Sequence, residues 1–192
     1  MSLLVLGLIL FLGVHSTRLV AEGWRGRMLA RIGQGPWKGA YSLLSLLGLV
    51  LIVWGYGAAR HDALPLWSPP TATRHLAGLL TLLAFVGIAA AYVPRNAIRA
   101  RLHHPMLLGV KAWALAHLLT NGTLADVLLF GAFLVWAVLA FRAARQRDRA
   151  QRVAYPPGTP GGTAAAVAVG VAVWALFALW GHAALIGVRP FG

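Results

Sequence analysis

Long runs of apolar residues alternate with short polar segments along the whole chain. Six of these runs reach the length that a helix rising about 1.5 Å per residue needs to cover most or all of a hydrocarbon core about 30 Å thick. They predict an all-α fold, a polytopic transmembrane helical bundle that forms a single domain over residues 1–192. The predicted helices cover residues 2–20, 39–59, 75–93, 105–120, 124–141 and 163–186.

The fourth predicted helix has the clearest boundaries. It starts at Pro105, a residue suited to the first helical position, and stops before Asn121, which favours a helix C-terminus. It carries Lys111 and His117, and His104 precedes it directly. Polar groups at this depth are costly unless they are paired, enclosed by protein or bound to a ligand. We therefore expect function to be centred on this helix.

Cations are concentrated in every second loop, which predicts the orientation of the chain. Only Arg60, Arg74 and Arg189 fall on the opposite side. Basic loops remain on the cytoplasmic side of a membrane. The pattern predicts an inner-membrane protein with both termini outside. The thirteen cations on the predicted inner side are Arg18, Arg25, Arg27, Arg31, Lys38, Arg95, Arg99, Arg101, Arg142, Arg145, Arg147, Arg149 and Arg152.

The composition supports a membrane location and narrows the chemistry. Of the 192 residues, 59% are hydrophobic and 11% are charged, whereas soluble domains contain about 25% charged residues. The net charge of +13 comes from loops beside the apolar runs, so it indicates membrane topology and anionic lipid headgroups as partners, and no nucleic acid. Because the sequence has no cysteine, disulfides, iron–sulfur clusters and covalent c-type haem are excluded.

Histidines inside the predicted helices are the main candidates for chemistry. His15, His117 and His182 fall within apolar runs, where an imidazole either hydrogen-bonds a neighbouring helix or binds a cofactor. Haem b fits this inventory best, because it needs imidazole ligands and an apolar slot between helices but no cysteine. A zinc or di-iron site fits poorly, since the chain has only four acidic residues and such sites need carboxylates or clustered ligands.

The positions of the histidines along their helices do not decide which two of them bind the haem iron. Straight helices would separate His15 and His117 by roughly 10 Å in depth at about 1.5 Å per residue, and His15 and His104 by a comparable amount in the other direction. Lys111, Arg18 and Arg95 are the candidate partners of the haem propionates. We expect Lys111 either to bind a propionate or to extend its ammonium group toward the membrane surface.

Four segments closely resemble NnrU-family membrane proteins, and the resemblance covers residues 1–186. This family is associated with nitrite and nitric-oxide reduction in denitrifying bacteria. The resembling segments are GLILFLGVHSTR (7–18), WKGAYSLLSLLGLVLIVWGYGAAR (37–60), YVPRNAIRARLHHPMLLGVKAWALAHLLTNG (92–122) and FRAARQRDR (141–149).

The chain is also distantly similar to 15-cis-zeta-carotene isomerases, which are membrane enzymes that bind haem b. Their ligand histidines lie in a His-Ser motif of the first helix and in an Ala-His motif of a helix that begins with His-Pro. The resemblance implies that His15 and His117 are the axial ligands here, with His104 at the His-Pro position. It also implies a redox or isomerase-like activity on nitric oxide or a lipophilic small molecule.

Two other classes of protein compete with the haem hypothesis. A non-enzymatic scaffold or transport accessory protein would use its histidines only as hydrogen bonds between helices. A membrane methyltransferase is the third hypothesis, and it is disfavoured because the sequence lacks a glycine-rich turn followed by an acidic ribose contact.

Overall fold

The computed structural model describes residues 1–61 and 64–191, and helices account for most of them. A π-helical turn, Phe177–Gly181, joins the last two helices. The all-α fold class predicted from the apolar runs is confirmed. The helices are α1 (Ser2–His15), α2 (Thr17–Val20), α3 (Glu22–Ile32), α4 (Gln34–His61), α5 (Thr73–Tyr92), α6 (Ala97–Leu102), α7 (Pro105–Thr120), α8 (Leu124–Ala150), α9 (Pro160–Leu176) and α10 (His182–Ile186).

Within the described residues, four helical stretches are long and apolar enough to cross a membrane. They are α4, α5, α8 and the continuous stretch from α9 to α10. α1 and α7 are apolar but only 14 and 16 residues long. The predicted set of six spanning helices is therefore not confirmed. The first helix is shorter than predicted because α1 ends at His15 and a separate short helix, α2, begins at Thr17.

Several helix boundaries also differ from the sequence prediction. α4 begins at Gln34 and α8 continues to Ala150, nine residues beyond the predicted end at Phe141. The extension of α8 is rich in Ala, Arg and Gln, which are strong helix formers. By contrast, α7 has the predicted bounds, because Pro105 starts it and Asn121 leaves the helical conformation.

Large apolar side chains are exposed along the long helices. On α4, Leu43 is 68% exposed and Trp54 is 73% exposed, and Leu83 of α5 is 54% exposed. Large apolar side chains exposed along a helix indicate a nonaqueous neighbour. Together with the four long apolar helices, this exposure indicates a membrane-embedded protein.

The described residues form two compact units, and each is described by itself. Unit 1 contains residues 1–66 and 123–132, and unit 2 contains residues 67–122 and 133–192, of which the last described residue is Phe191. The chain enters unit 2 twice, and α8 contributes its first residues to unit 1 and the remainder to unit 2. A single domain over the whole chain stays a prediction.

In unit 1, small residues let α1 and α4 approach closely. A Cβ atom on Gly48 of α4 would come within 2.8 Å of the Phe11 backbone nitrogen, and one on Gly7 of α1 within 2.6 Å of the Ile52 nitrogen. Gly55 meets the backbone of Leu4 in the same way. Helices packed in a membrane use such small residues to gain backbone contact, so this glycine series sets the register of α1 on α4.

The start of α8 is also held within unit 1. Thr123 caps the helix, since its hydroxyl oxygen accepts from the Asp126 backbone N–H at 3.3 Å. In return, the Thr123 backbone N–H and hydroxyl donate to the Asp126 carboxylate at 2.9 and 2.6 Å. The Tyr56 hydroxyl of α4 donates to the other oxygen of Asp126 at 2.5 Å. A buried carboxylate needs such donors, and Asp126 is only 4% exposed.

In unit 2, α5 lies between α7 and α9 and is antiparallel to both. A Cβ atom on Gly109 of α7 would lie 2.7 Å from the Ala84 carbonyl oxygen, and one on Gly87 of α5 would lie 2.8 Å from the Pro105 carbonyl oxygen. On the α9 side, the Trp174 indole N–H donates to the Thr81 hydroxyl at 3.0 Å. These contacts determine which residues of the three helices lie at the same height along the helix axes.

Candidate functional site

A cavity of about 420 Å³ lies in unit 2 among α5, α7, the π-helical turn and the C-terminal segment after α10. This volume is in the range of small-molecule sites, which are mostly apolar with a few polar groups. The polar lining includes His117, His182, Arg74, Arg189 and Asn121. The aromatic lining is Phe85, Trp113, Trp174, Phe177 and Phe191.

His117 presents its imidazole to this cavity in a defined tautomer. Its Nδ1 lies 2.8 Å from the Trp113 carbonyl oxygen one helical turn earlier. Because a carbonyl only accepts hydrogen bonds, Nδ1 carries the proton and Nε2 does not. Metal-bound histidines are held in this way, with the second ring nitrogen donating to a backbone carbonyl. His117 is therefore in the protonation state that a haem ligand needs.

His182 is a second imidazole at the same cavity, and the sequence pattern placed it in an apolar run without assigning it as a haem ligand. Its Nδ1 donates to the Val188 carbonyl oxygen at 2.7 Å. The π-helical turn Phe177–Gly181 ends directly before it, and π-helical turns are frequent at functional sites. The sequence pattern gave no sign of this turn, and only the structure shows that His182 and His117 line the same cavity.

The described residues of unit 1 contain the other predicted ligand, His15. Its Nδ1 donates to the Phe11 carbonyl oxygen at 2.7 Å, and its ring stacks on the Phe11 ring with centroids 4.2 Å apart. Tyr41 of α4 lies at 5.2 Å between ring centroids. Arg18, the predicted propionate partner, is exposed and lies 3.8 Å from Glu22. The imidazole of His15 thus has the same tautomer as that of His117.

His104 has a different environment from the cavity histidines. It precedes α7, and its Nε2 lies 2.7 Å from the Asp148 carboxylate of α8. The Tyr155 hydroxyl donates to the same carboxylate oxygen at 2.8 Å. Burial, and then the hydrogen bond to Asp148, raise the pKa of Tyr155. This cluster ties the loop after α8 to the start of α7.

Lys111, the remaining predicted site residue on α7, contacts an aromatic ring. Its Nζ lies 3.9 Å from the centre of the Phe141 ring of α8. A cation over the face of an aromatic ring is stabilised by the negative charge density of that face. Phe141 also packs edge-on against His104, with ring centroids 6.2 Å apart. Lys111 therefore lies on the side of α7 that carries the His104 cluster.

The model of the NnrU protein family matches residues 3–190 of this sequence, which is nearly the whole chain. The chain belongs to the NnrU family. No curated protein and no solved structure matches it. The resemblance to NnrU-family membrane proteins is therefore confirmed.

The cavity of this NnrU-family protein has the chemical groups that haem b requires. His117 contributes an imidazole whose proton lies on Nδ1, and aromatic rings form much of the wall. Arg74 and Arg189 add guanidinium groups suited to carboxylates. The donor set thus fits haem b, although among the residues predicted from the sequence only His117 lines this cavity.

Proposed function

We propose that this NnrU-family membrane protein binds haem b and that His117 is an axial ligand through Nε2. The observation that carries the proposal is the His117 imidazole at an aromatic cavity, with Nδ1 bonded to the Trp113 carbonyl oxygen at 2.8 Å. A hydrogen bond of this kind fixes both the tautomer and the ring orientation before any metal arrives. The chain has no cysteine, so imidazole is the natural haem ligand.

His15 stays the sequence-based candidate for the second axial ligand. Its support is the resemblance of the His-Ser segment together with the Nδ1 bond to the Phe11 carbonyl oxygen at 2.7 Å. His104 is less suited, because its Nε2 already faces the Asp148 carboxylate at 2.7 Å. The proposal therefore takes His117, which lines the cavity, before His104, which is outside its described lining.

The protein residues around the cavity have three tasks. The Trp113 carbonyl holds the His117 ring, the aromatic rings of Phe85, Trp174 and Phe177 keep water from the apolar part, and polar groups meet the polar edge of the ligand. When bound, haem b supplies an iron that exchanges one electron and binds small ligands such as nitric oxide. We propose a role in redox or nitrogen-oxide metabolism, or an isomerase-like activity on a lipophilic molecule.

The first test is a spectrum of the purified full-length protein. We would express it with a haem precursor, purify it in detergent and record oxidised and reduced spectra with a pyridine haemochrome assay. We expect a b-type spectrum near one haem per chain. The substitution His117→Gln should remove most of the haem, whereas His75→Gln, at an exposed position of α5, should leave it unchanged.

Two results would contradict the proposal. Folded, colourless protein would favour the scaffold or transport accessory hypothesis, in which the histidines serve as hydrogen bonds. Unchanged haem content and an unchanged Soret band in His117→Gln would show that another residue binds the iron. The His15→Gln variant tests the second ligand separately, since its loss should change the coordination of the iron and its spectrum.

A further inference from the structure

The cavity has two cations at one end and no acidic side chain among its described lining residues. Arg74 is in the first turn of α5, and Arg189 follows α10 in the C-terminal segment. Apart from these guanidinium groups, the lining is made of apolar, aromatic and neutral polar residues. A cavity with an apolar interior and a cationic mouth suits an amphiphile whose anionic groups remain at the mouth.

The antiparallel packing of α5 and α7 places His117 near these cations along the helix axis. Ala84 of α5 contacts Gly109 of α7, so residues earlier in α5 lie level with residues later in α7. Arg74 is thereby level with the end of α7, and His117 is about one helical turn further in. A ligand that contacts His117 can therefore also place an anionic group at Arg74, provided that this group lies close to the atom that contacts His117.

The segment that carries Arg189 is held at the cavity by contacts of its neighbouring residues. Gly187 adopts a left-handed conformation with φ of 77°, which reverses the chain after α10. The His182 Nδ1–H then binds the Val188 carbonyl oxygen at 2.7 Å. Beyond Arg189, the Phe191 ring packs against the Trp174 ring with centroids 6.0 Å apart. The segment that carries Arg189 is therefore anchored on both sides of this residue.

We infer that Arg74 and Arg189 bind the two propionate carboxylates of the haem and that His182 positions Arg189 for this contact. The inference rests on the proposed function. It replaces Lys111 and Arg18 as propionate partners, because Lys111 lies over the Phe141 ring and Arg18 lies beside Glu22. His182 acts through the Val188 carbonyl, so it is a positioning residue.

The test compares ferric haem b with its dimethyl ester, which lacks the carboxylate charges. Both would be titrated into haem-free protein in detergent and followed by the Soret band. Wild type should bind haem b about tenfold more tightly than the ester, since both cations are exposed and each contact is modest. Arg74→Gln and Arg189→Gln should each reduce this ratio about two- to fivefold, and the double variant should bring it close to one.

Three controls make the result specific. Arg101→Gln removes an exposed cation of α6 outside the cavity lining and should leave the ratio unchanged. Arg74→Lys and Arg189→Lys keep the charge and should retain most of the preference. His182→Gln should lower the ratio as Arg189→Gln does, while the absorption maxima of bound haem stay in place. If His182 were a ligand to the iron, its replacement would shift these maxima.

The outcomes separate this inference from the proposed function. Equal binding of haem b and its ester by wild type, or an unchanged ratio in the double variant, would overturn the propionate assignment while haem binding itself remains. Folded wild-type protein that binds neither compound would overturn the proposed function.

Discussion

The His104 imidazole and the Asp148 carboxylate lie 2.7 Å apart, Nε2 to Oδ2, and so join the start of α7 to the end of α8 within unit 2. Tyr155 donates to the same carboxylate oxygen at 2.8 Å. The Asp148 side chain is 14% exposed and that of His104 is 22% exposed, so water only partly competes for these bonds. The Asp148 carboxylate thus binds two titratable side chains, His104 and Tyr155, from separate parts of the sequence.

Removing the Asp148 carboxylate should destabilise the protein. We expect Asp148→Ala to lower the free energy of unfolding by about 1–3 kcal/mol, because two partly buried donors lose their acceptor. Thermal unfolding of the purified protein in detergent, followed by circular dichroism, would measure this change. A double-mutant cycle with His104→Ala should show coupling of at least about 0.5 kcal/mol. Strictly additive effects would mean that the two side chains do not stabilise each other.

Tyr155 should make stability fall at high pH. Because the folded state raises the pKa of Tyr155 above its ordinary value of about 10, the folded protein retains a proton that the unfolded chain releases. Its contribution is therefore complete below about pH 10 and is lost as the pH rises through the folded-state pKa. Thermal unfolding between pH 8 and 11 should show a steeper loss in wild type than in Tyr155→Phe. Parallel pH profiles would contradict this assignment.

The contact between α5 and α7 should tolerate no side chain at Gly87. A Cβ atom there would lie 2.8 Å from the Pro105 carbonyl oxygen, which belongs to the backbone. We expect Gly87→Ala to cost about 1–3 kcal/mol, since the helices must separate. Gly131→Ala is the matched control in α8, because no described atom apart from the adjoining backbone of α8 lies within 4 Å of the new methyl group. It should be neutral or stabilise by up to about 1 kcal/mol. Thermal unfolding compares the two.

Lys111 should matter for helix packing more than for the cofactor. Its Nζ lies 3.9 Å from the centre of the Phe141 ring, a contact worth about 0.5–2 kcal/mol. We expect Lys111→Met to leave the haem content and the preference for haem over its dimethyl ester unchanged, and Phe141→Leu to reduce thermal stability. If the Lys111→Met protein lost this preference, Lys111 would be a partner of the haem propionates.

The sequence by itself determined the membrane character of the protein, its family and most helices. Apolar runs long enough for a membrane helix depend only on local composition, so α4, α5 and α8 were predicted within a few residues except at their polar ends. The bounds of α7 were predicted correctly from Pro105 and Asn121. Proline suits the first helical position because it lacks a backbone N–H, and asparagine favours a helix end, so both signals depend only on nearby residues. The interruption at Ser16 and the π-helical turn at Phe177–Gly181 had no such local signal.

The tertiary structure decided which polar side chains share an environment. His117, Arg74 and Arg189 are distant in sequence, and their common cavity depends on the register of α5 against α7 and on the chain reversal at Gly187. His104 and His117 lie at opposite ends of α7, and only His117 is among the described residues that line the cavity. Helix formation follows from short-range pattern, whereas register follows from backbone contacts between glycines and carbonyls of different helices, and those contacts exist only in the folded protein.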